Sequence, residues 1–278
     1  MTNTLQLVTR KDFYDSMREY QLYYVGIFFL LFAVGIGYLV GTSPGNTDLA
    51  PILILVYLFL APVSVLLISH DAVAGKWATG ELTVLLGLPI SRFDVIVGSI
   101  AGRTAVVALA TTASMVVSTV LATVFGASPN VEQLALGLFG ILVVTLTFAS
   151  LAVAFSSLSK STTISSSAAF GVFVFFVFQV WTWIPGIANF ALTQLNMDSL
   201  PDDVVQTWNN LPPYAAMRNV AVGLAGEAGE PFNFLATAQY FEIDTPVYQT
   251  PVVAALILVF WITVPVTLAY LRFSSTDL

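Results

Sequence analysis

Long runs of apolar residues dominate this 278-residue chain and restrict what it can fold into. Six of them are candidates for helices that cross a membrane, at residues 22–40, 49–69, 100–125, 134–155, 168–184 and 251–271. Each is close to the roughly 20 residues that an α-helix needs to cross the hydrocarbon core. Because only 9% of the residues are charged and 57% are hydrophobic, the rest of the chain cannot cover these runs with a polar surface. The predicted fold class is therefore an all-α polytopic membrane protein with six transmembrane helices in a single transmembrane domain.

Three segments outside these runs also have predicted structure. Residues 1–21 mix apolar and charged side chains at helical spacing, which favours an amphipathic helix in the membrane interface over a solvated tail. Residues 70–99 form a polar loop between the second and third spans. Residues 186–250 are too many for an unstructured connection. We therefore expect this last segment to contain short helices that rest on the bilayer or dip into it.

The distribution of basic residues predicts the orientation, since Lys and Arg are retained on the cytoplasmic side of a membrane. With a cytoplasmic N-terminus and six crossings, Arg218 is the only one of the nine basic residues on the outside. The opposite orientation reverses this bias. We therefore expect both termini and loop 70–99 to be cytoplasmic, and segment 186–250 to be extracytoplasmic.

Loop 70–99 contains helix-type apolar spacings that Gly87 and Pro89 interrupt, which predicts two short amphipathic helices meeting at a bend. Ser91 can cap the second helix, with Asp94 as its capping-box partner. We expect the apolar face to rest on the spans and the polar face, with Glu81 and Arg92, to remain available to a soluble partner. A solvated face or a local ion pair is the alternative for these two charges.

The residues of this loop resemble a known family. The spacing of its Gly, Leu, Pro and charged residues is similar to the cytoplasmic loop of type-2 ABC transporter permeases; the matching residues are Asp71, Gly75, Gly80, Glu81, Leu82, Leu85, Leu86, Pro89, Ser91, Arg92 and Gly98. Lys76 and Trp77 stand where family members commonly carry acidic residues. Further along, Pro213 and Arg218 in LPPYAAMRNVAVG resemble a segment before the last span in the subgroup that contains the nitrous-oxide reductase maturation permease.

The resemblance implies a permease subunit that pairs with a cytoplasmic ATP-binding cassette ATPase and with a second copy or a homologous permease half. Cargo would be exported when the ATPase hydrolyses ATP, and ATP would be bound by the partner subunit and not by this chain. Loop 70–99 would then be the coupling element, which includes a coupling helix, and its implied ATPase-coupling residues are Asp71, Gly75, Glu81, Leu85, Pro89, Ser91 and Arg92. Pro213 and Arg218 would belong to the outer segment.

The sequence lacks several residue types and motifs that enzymes use for catalysis. It contains one His, no Cys and no G-x-x-x-x-G-K-[ST] loop, so we expect no catalytic, cofactor-binding or metal site in this chain. Its net charge of −7 argues against nucleic acid as a partner, whereas membrane lipids are expected neighbours. Two alternatives to a permease are a membrane anchor or assembly factor for an extracytoplasmic client, and a secondary transporter. A secondary transporter would be expected to show matching broken helices in two halves.

Four polar or aromatic residues allow a functional and a structural interpretation. Arg103 lies near the start of the third span, where snorkelling to the interface is favoured over an intramembrane role. His70 lies at the end of the second span and is interpreted as an interfacial residue. Trp181 and Trp183 come just before Pro185 and are typical of an aromatic belt at a membrane boundary.

Overall fold

The computed structural model describes residues 4–18, 20–43, 48–235 and 246–275, and these residues form helices and connections without a strand. Twelve α-helices lie in the described ranges: α1 Thr4–Arg18, α2 Tyr20–Thr42, α3 Leu49–Ser69, α4 Ala74–Ala78, α5 Glu81–Leu86, α6 Arg92–Val124, α7 Val131–Leu158, α8 Thr162–Val177, α9 Val180–Gln194, α10 Asp202–Asn209, α11 Pro213–Ala225 and α12 Pro251–Ser274. Short 3-10 helices cover Gly226–Leu235 and Val247–Gln249. Parts of the predicted segments 1–21 and 186–250, and both chain ends, lie outside the described residues.

The described helices are those of a polytopic membrane protein, as the sequence predicts. Five of them, α2, α3, α6, α7 and α12, are long and apolar enough to cross a membrane. Helices α8 and α9 pass the same test only together, and they are bent by 71° at their break. The number of crossings is therefore five, or six if the bent pair is one span.

Helices α1 and α2 both pack along α6, the longest helix of the described chain. On α1, Thr4 lies against Asp94 and Val8 against Gly98, so α1 runs parallel to the first turns of α6. A Cβ atom added at Gly98 would lie 2.6 Å from a Val8 methyl carbon, which shows why a glycine is needed at this crossing. With 33 residues, α6 is about 50 Å long, longer than the roughly 30 Å hydrocarbon core. Part of α6 therefore extends beyond that core.

Hydroxyl groups form hydrogen bonds between the apolar helices α2, α3 and α6 where these helices meet. Ser114 on α6 donates to the Phe29 carbonyl oxygen at 2.8 Å and contacts the hydroxyl of the fully buried Tyr57 on α3. One turn further along α6, Ser118 donates to the Ala33 carbonyl oxygen at 2.8 Å. Such bonds matter in lipid because burial of apolar surface alone does not hold helices together there.

The predicted fifth span, 168–184, differs from the structure at its end. Helix α8 stops at Val177, Gln179 takes a left-handed backbone conformation with φ 56°, and α9 leaves at a sharp angle. The following segment returns into the helix bundle. Tyr214 donates to the carbonyl oxygen of Leu58, which lies near the middle of α3, and Trp261 in α12 donates to the Leu211 carbonyl oxygen at 2.8 Å. Helix α11 is thus held between the spans.

The end of the bundle that contains α1 also contains α4, α5 and the end of α12; we call it the α1 end. Phe273, near the C-terminus of α12, receives a hydrogen bond from Arg92 at the start of α6 and packs edge-on against Trp77 of α4. The first and last described helices therefore begin and finish at the same end of the bundle.

Candidate functional site

The segment between α3 and α6 folds at the α1 end as two very short helices. Gly80 separates α4 from α5 with a φ of 74°, a left-handed conformation that glycine adopts without steric cost. Leu82 and Leu85 of α5 are buried against the bundle. Ser91 and Asp94 form the predicted capping box at the start of α6. The expected second short helix is therefore the beginning of α6, because no helix-breaking residue follows the cap.

A buried ion pair joins α4 to α1. The Lys76 Nζ atom lies 2.9 and 3.0 Å from the two carboxylate oxygens of Asp12, and the residues are 7% and 2% exposed. Ser99 of α6 donates to Asp12 and accepts from Lys76 Nζ at 3.2 Å. Burial alone would raise the pKa of Asp12, but the positive charge of Lys76 and the Ser99 hydroxyl outweigh it and hold that pKa below 3.8.

A second pair connects the ends of α3 and α6. Arg103 is 8% exposed, and its Nη1 atom donates to the Ile68 carbonyl oxygen and, at 3.1 Å, to a carboxylate oxygen of Asp71. Asp71 also accepts the Gly75 amide through its backbone oxygen at 2.7 Å, which leads the chain into α4. Arg103 thus lies at the α1 end, as the snorkelling interpretation expects, but it binds the protein itself.

Glu81 forms an ion pair with Lys11 of α1, which is 70 positions away, and not a local pair within the loop. Its carboxylate lies 2.6 Å from the Lys11 Nζ atom, which also binds Asp15 at 2.8 Å. Burial lowers the pKa of Lys11, but the hydrogen bonds and charges of Asp15 and Glu81 raise it further, to about 12. Since these side chains are 39 to 53% exposed, each pair is worth about 0–1 kcal/mol. The pair therefore connects α5 to α1 only weakly.

Two serines, Ser156 near the end of α7 and Ser165 in α8, bind the other side of the segment that contains α4 and the turn before it. The Ser156 hydroxyl accepts both the Val73 and the Ala74 amide at 3.0 Å, which caps the first turn of α4 from a distant helix. Ser165 donates to the carbonyl oxygen of His70, and the His70 ring lies beside Phe170 of α8. These bonds give the serines a structural role that composition alone does not indicate.

A row of cationic and aromatic side chains in contact with one another lies at the α1 end. The Lys160 Nζ atom lies 4.2 Å from the ring centroid of Trp77, and Trp77 packs on Phe273. On the other side of Phe273, the Arg92 guanidinium lies 5.1 Å from the ring centroid. Helices α4, α6 and α12 therefore meet through one row of contacts, and Arg92 faces this row as well as the solvent.

The exposed side of the loop is mainly apolar, which differs from the predicted polar face. Val84 is 71% exposed, Leu88 53% and Phe93 48%. The uncharged residues Thr83, Pro89 and Ser91 are exposed as well. We call these six residues the loop surface: Thr83, Val84, Leu88, Pro89, Ser91 and Phe93. Exposed apolar patches are typical of surfaces that bind another protein or a membrane.

The predicted outer-segment residues are buried inside the bundle. Pro213 is the first residue of α11, and Arg218 is 4% exposed. The Arg218 Nη1 atom donates to the side-chain oxygen of Asn219 at 3.3 Å, and the Asn219 amide donates to Asn210 at 2.8 Å. Arg218 therefore belongs to a buried polar network that holds α11 to the turn before it.

A pair of stacked tryptophans connects α9 with α10. The rings of Trp181 and Trp208 are 4.3 Å apart and 13° from parallel, and each indole N–H donates to the carbonyl oxygen of the other residue, at 2.8 and 2.9 Å. Trp181 is thus part of a folded contact, contrary to its interpretation as a belt residue. Trp183 is 59% exposed and remains consistent with an aromatic belt.

Sequence reasoning missed the partners of the charged residues at the α1 end, above all Asp12 and Ser99. One signal was available: Val8, Asp12 and Ser16 follow each other at intervals of four and form the buried stripe of α1. An acidic residue in the middle of such a stripe indicates a buried partner. Among the described residues no group of three or more His, Asp or Glu side chains is placed to hold a metal ion.

Comparisons with known proteins agree with this architecture. A family model described as ABC-2 family transporter protein matches residues 6–278. A probable ABC transporter permease protein NosY from Pseudomonas aeruginosa is 28% identical over 182 residues, which cover 61% of this chain and 66% of that protein. The protein of the same name from Stutzerimonas stutzeri is 30% identical over 114 residues, 39% of this chain and 41% of its own length. The matched regions thus span just under two thirds of the first relative and less than half of the second. Because the family model covers nearly the whole sequence, this chain belongs to the ABC-2 transporter family.

Proposed function

We propose that the chain is the permease subunit of an exporter, driven by a separate ATP-binding cassette ATPase that docks on the loop surface. The observation that carries this proposal is the exposure of Val84 and Leu88 on a loop whose charged residues Asp71, Lys76 and Glu81 are bound to other helices of the chain. An ATPase would cover these apolar groups, and ATP would be bound and hydrolysed on that partner. A second copy or a homologous permease half would complete the translocation path.

The contacts of α4 support a mechanical role for the loop. Lys76 ties α4 to α1 and α6, and Ser156 ties it to α7. Arg103 joins the residues just before α4 to α6. Since these bonds are mostly buried, a force on α5 is transmitted to the spans as a movement of rigid helices. In this mechanism the closing ATPase dimer pushes the loop surface, and the spans rock to open a path outward.

The permease function predicts that this chain stimulates its ATPase through the loop surface. The test is to co-express and co-purify the chain with a candidate ATP-binding cassette ATPase, for example one encoded by a neighbouring gene, and to measure ATP hydrolysis in lipid. Val84→Glu and Leu88→Glu should each lower binding and stimulation by tenfold or more, about 1.4 kcal/mol or more, because a carboxylate would be desolvated in the contact.

Val131→Glu is the matched control, since Val131 is 73% exposed at the opposite end of the bundle and should leave stimulation unchanged. Thermal unfolding of each variant shows whether the fold is intact. Equal stimulation by folded Val84→Glu and wild-type protein would refute docking on this surface. Binding of the ATPase without any stimulated hydrolysis would favour the assembly-factor function instead.

A further inference from the structure

A groove opens toward the lipid where α1 ends and α2 begins. It has a volume of about 500 Å³ and lies between α2 and α6; its lining residues are Met17, Tyr23, Gly26, Ile27, Leu30, Val106, Leu109, Ala110 and Ala113. The volume lies within the range of about 300–1,000 Å³ that is typical of small-molecule sites. Gly26 is one of the lining residues, and a Cβ atom added there would meet nothing within 4 Å, so a larger side chain has space to enter the groove.

The shape of the groove matches part of an extended acyl chain. It follows α2 from Tyr23 to Leu30 and α6 from Val106 to Ala113, which is about 10 Å on each helix. Its lining carries no charged residue, and its mouth lies at Met17, where α1 leads into the first span. A lipid tail that enters at Met17 would therefore run along the spans toward the middle of the membrane.

Positive charge lies on the same side of the chain, beyond the mouth of the groove. Arg10, Tyr14 and Met17 follow one another at helical spacings of four and three, so they share a face of α1. The Arg10 guanidinium lies 5.6 Å from the ring centroid of Tyr14. Within the part of the chain that the structure describes, no carboxylate is within ion-pair distance of Arg10 or of the exposed Arg18, whereas Lys11, Lys76 and Arg103 are all paired.

We propose that this groove binds one anionic glycerophospholipid, with an acyl chain between α2 and α6 and the phosphate group at Arg10. The distance from Met17 to Arg10, about 10 Å along α1, leaves room for the glycerol and phosphate beyond the tail. Arg18 adds positive charge beside the mouth. The bound lipid would fill a space that the protein's own side chains leave open and would fix α1 relative to α2.

Native mass spectrometry of the full-length protein tests the proposal, with phosphatidylglycerol and phosphatidylcholine supplied in equal amounts. The wild-type chain should retain one phosphatidylglycerol in preference to phosphatidylcholine. Gly26→Leu should fill the groove and lower retention of both lipids about tenfold or more. Arg10→Gln should lower only the preference for phosphatidylglycerol, about fivefold, which is the effect of one basic residue near an anionic headgroup.

Two matched variants separate the site from general effects. Gly35→Leu also adds a side chain on α2 where nothing lies within 4 Å, but Gly35 does not line the groove, so lipid retention should be unchanged. Lys160→Gln removes a positive charge elsewhere at the α1 end and should leave the lipid preference intact. The proposal is wrong if Gly26→Leu and Gly35→Leu behave alike, or if Lys160→Gln acts as strongly as Arg10→Gln.

A second copy of the chain is the competing occupant. Since the native sequence has no cysteine, Gly26→Cys introduces a single thiol in the groove. If a lipid occupies the groove, this thiol should not form a disulfide-linked dimer under oxidising conditions. Rapid and complete dimerisation through this cysteine would assign the groove to a protein interface and overturn the proposal.

Discussion

At the scale of single residues, the pair formed by Asp12 and Lys76 is the main electrostatic element at the α1 end. Both residues are almost fully buried, and the Ser99 hydroxyl donates a further hydrogen bond to the Asp12 carboxylate. Removing two charges from water is costly, and their attraction offsets this cost only when the geometry is good. Loss of one partner should therefore harm the fold far more than loss of an exposed pair.

Asp12→Asn should lower the free energy of unfolding by about 3–5 kcal/mol, because Lys76 would remain buried without a counter-charge. Thermal or denaturant unfolding in detergent measures this. Asp15→Asn is the control, since Asp15 pairs with Lys11 at an exposed position and its loss should cost about 0–1 kcal/mol. The double variant Asp12→Asn, Lys76→Met should recover much of the lost stability. Similar losses for Asp12→Asn and Asp15→Asn would contradict the argument.

The shifted pKa of Asp12 also predicts how stability depends on pH. Because its folded pKa lies below 3.8, its contribution is present above pH 3.8 and is lost as the pH falls through the folded value. The pKa of Lys11 is shifted in the opposite direction, from 10.5 up to about 12. Its small contribution to the stability of the fold is therefore present below pH 10.5 and is lost as the pH rises through about 12. Unfolding temperatures measured against pH should thus fall in acid for the wild type, and less steeply for Asp12→Asn.

These residue contacts show where sequence reasoning stops. Glu81 was correctly recognised as a possible member of an ion pair, but its partner Lys11 is 70 positions away. Lys76 stood out as a departure from the family pattern, and only the packing of α1 against α6 reveals Asp12 beside it. The chemistry of a charged residue can be predicted from its type, whereas its partner depends on which helices touch.

At the scale of helices, a sequence motif predicts the structure reliably where the hydrogen bonds that it needs come from neighbouring residues. The capping box at Ser91 and Asp94 needs only four consecutive residues, so the sequence predicts it. The break between α8 and α9 has no such signal, because the left-handed residue is Gln179 and not a glycine. Contacts from α10 and α12 hold that break, and they come from distant parts of the sequence.

The stacked pair of Trp181 and Trp208 should hold the α9 and α10 segment in place. Trp208→Phe removes the indole donor to the Trp181 carbonyl and weakens the stacking, at a cost of about 1–3 kcal/mol. We expect faster limited proteolysis within residues 186–212, measured by mass spectrometry of the fragments. Trp183→Phe changes an exposed tryptophan nearby and should leave the cleavage rate unchanged. Equal rates for both variants would show that the stack does not support this segment.

At the scale of the whole molecule, the contacts determine the parity of the crossings. Helix α1 lies at the same end as Phe273 of α12, since both contact the first turns of α6. A chain that starts and finishes at one end crosses an even number of times. The bent pair α8 and α9, together with α10 and α11, must therefore complete one crossing in addition to the five long helices.

Which end faces the cytoplasm follows from charge and remains a prediction. The basic residues at the α1 end favour a cytoplasmic location for it. The native chain has no cysteine, so Thr83→Cys in the loop surface and Asp203→Cys in α10 each provide one exposed label site. With a membrane-impermeant maleimide on intact cells, Asp203→Cys should react, and Thr83→Cys should react only after permeabilisation. The reverse pattern would invert the orientation and exclude docking of a cytoplasmic ATPase on the loop surface. Labelling of both sites from outside would place the loop surface and α10 on the same side of the membrane and contradict the predicted topology.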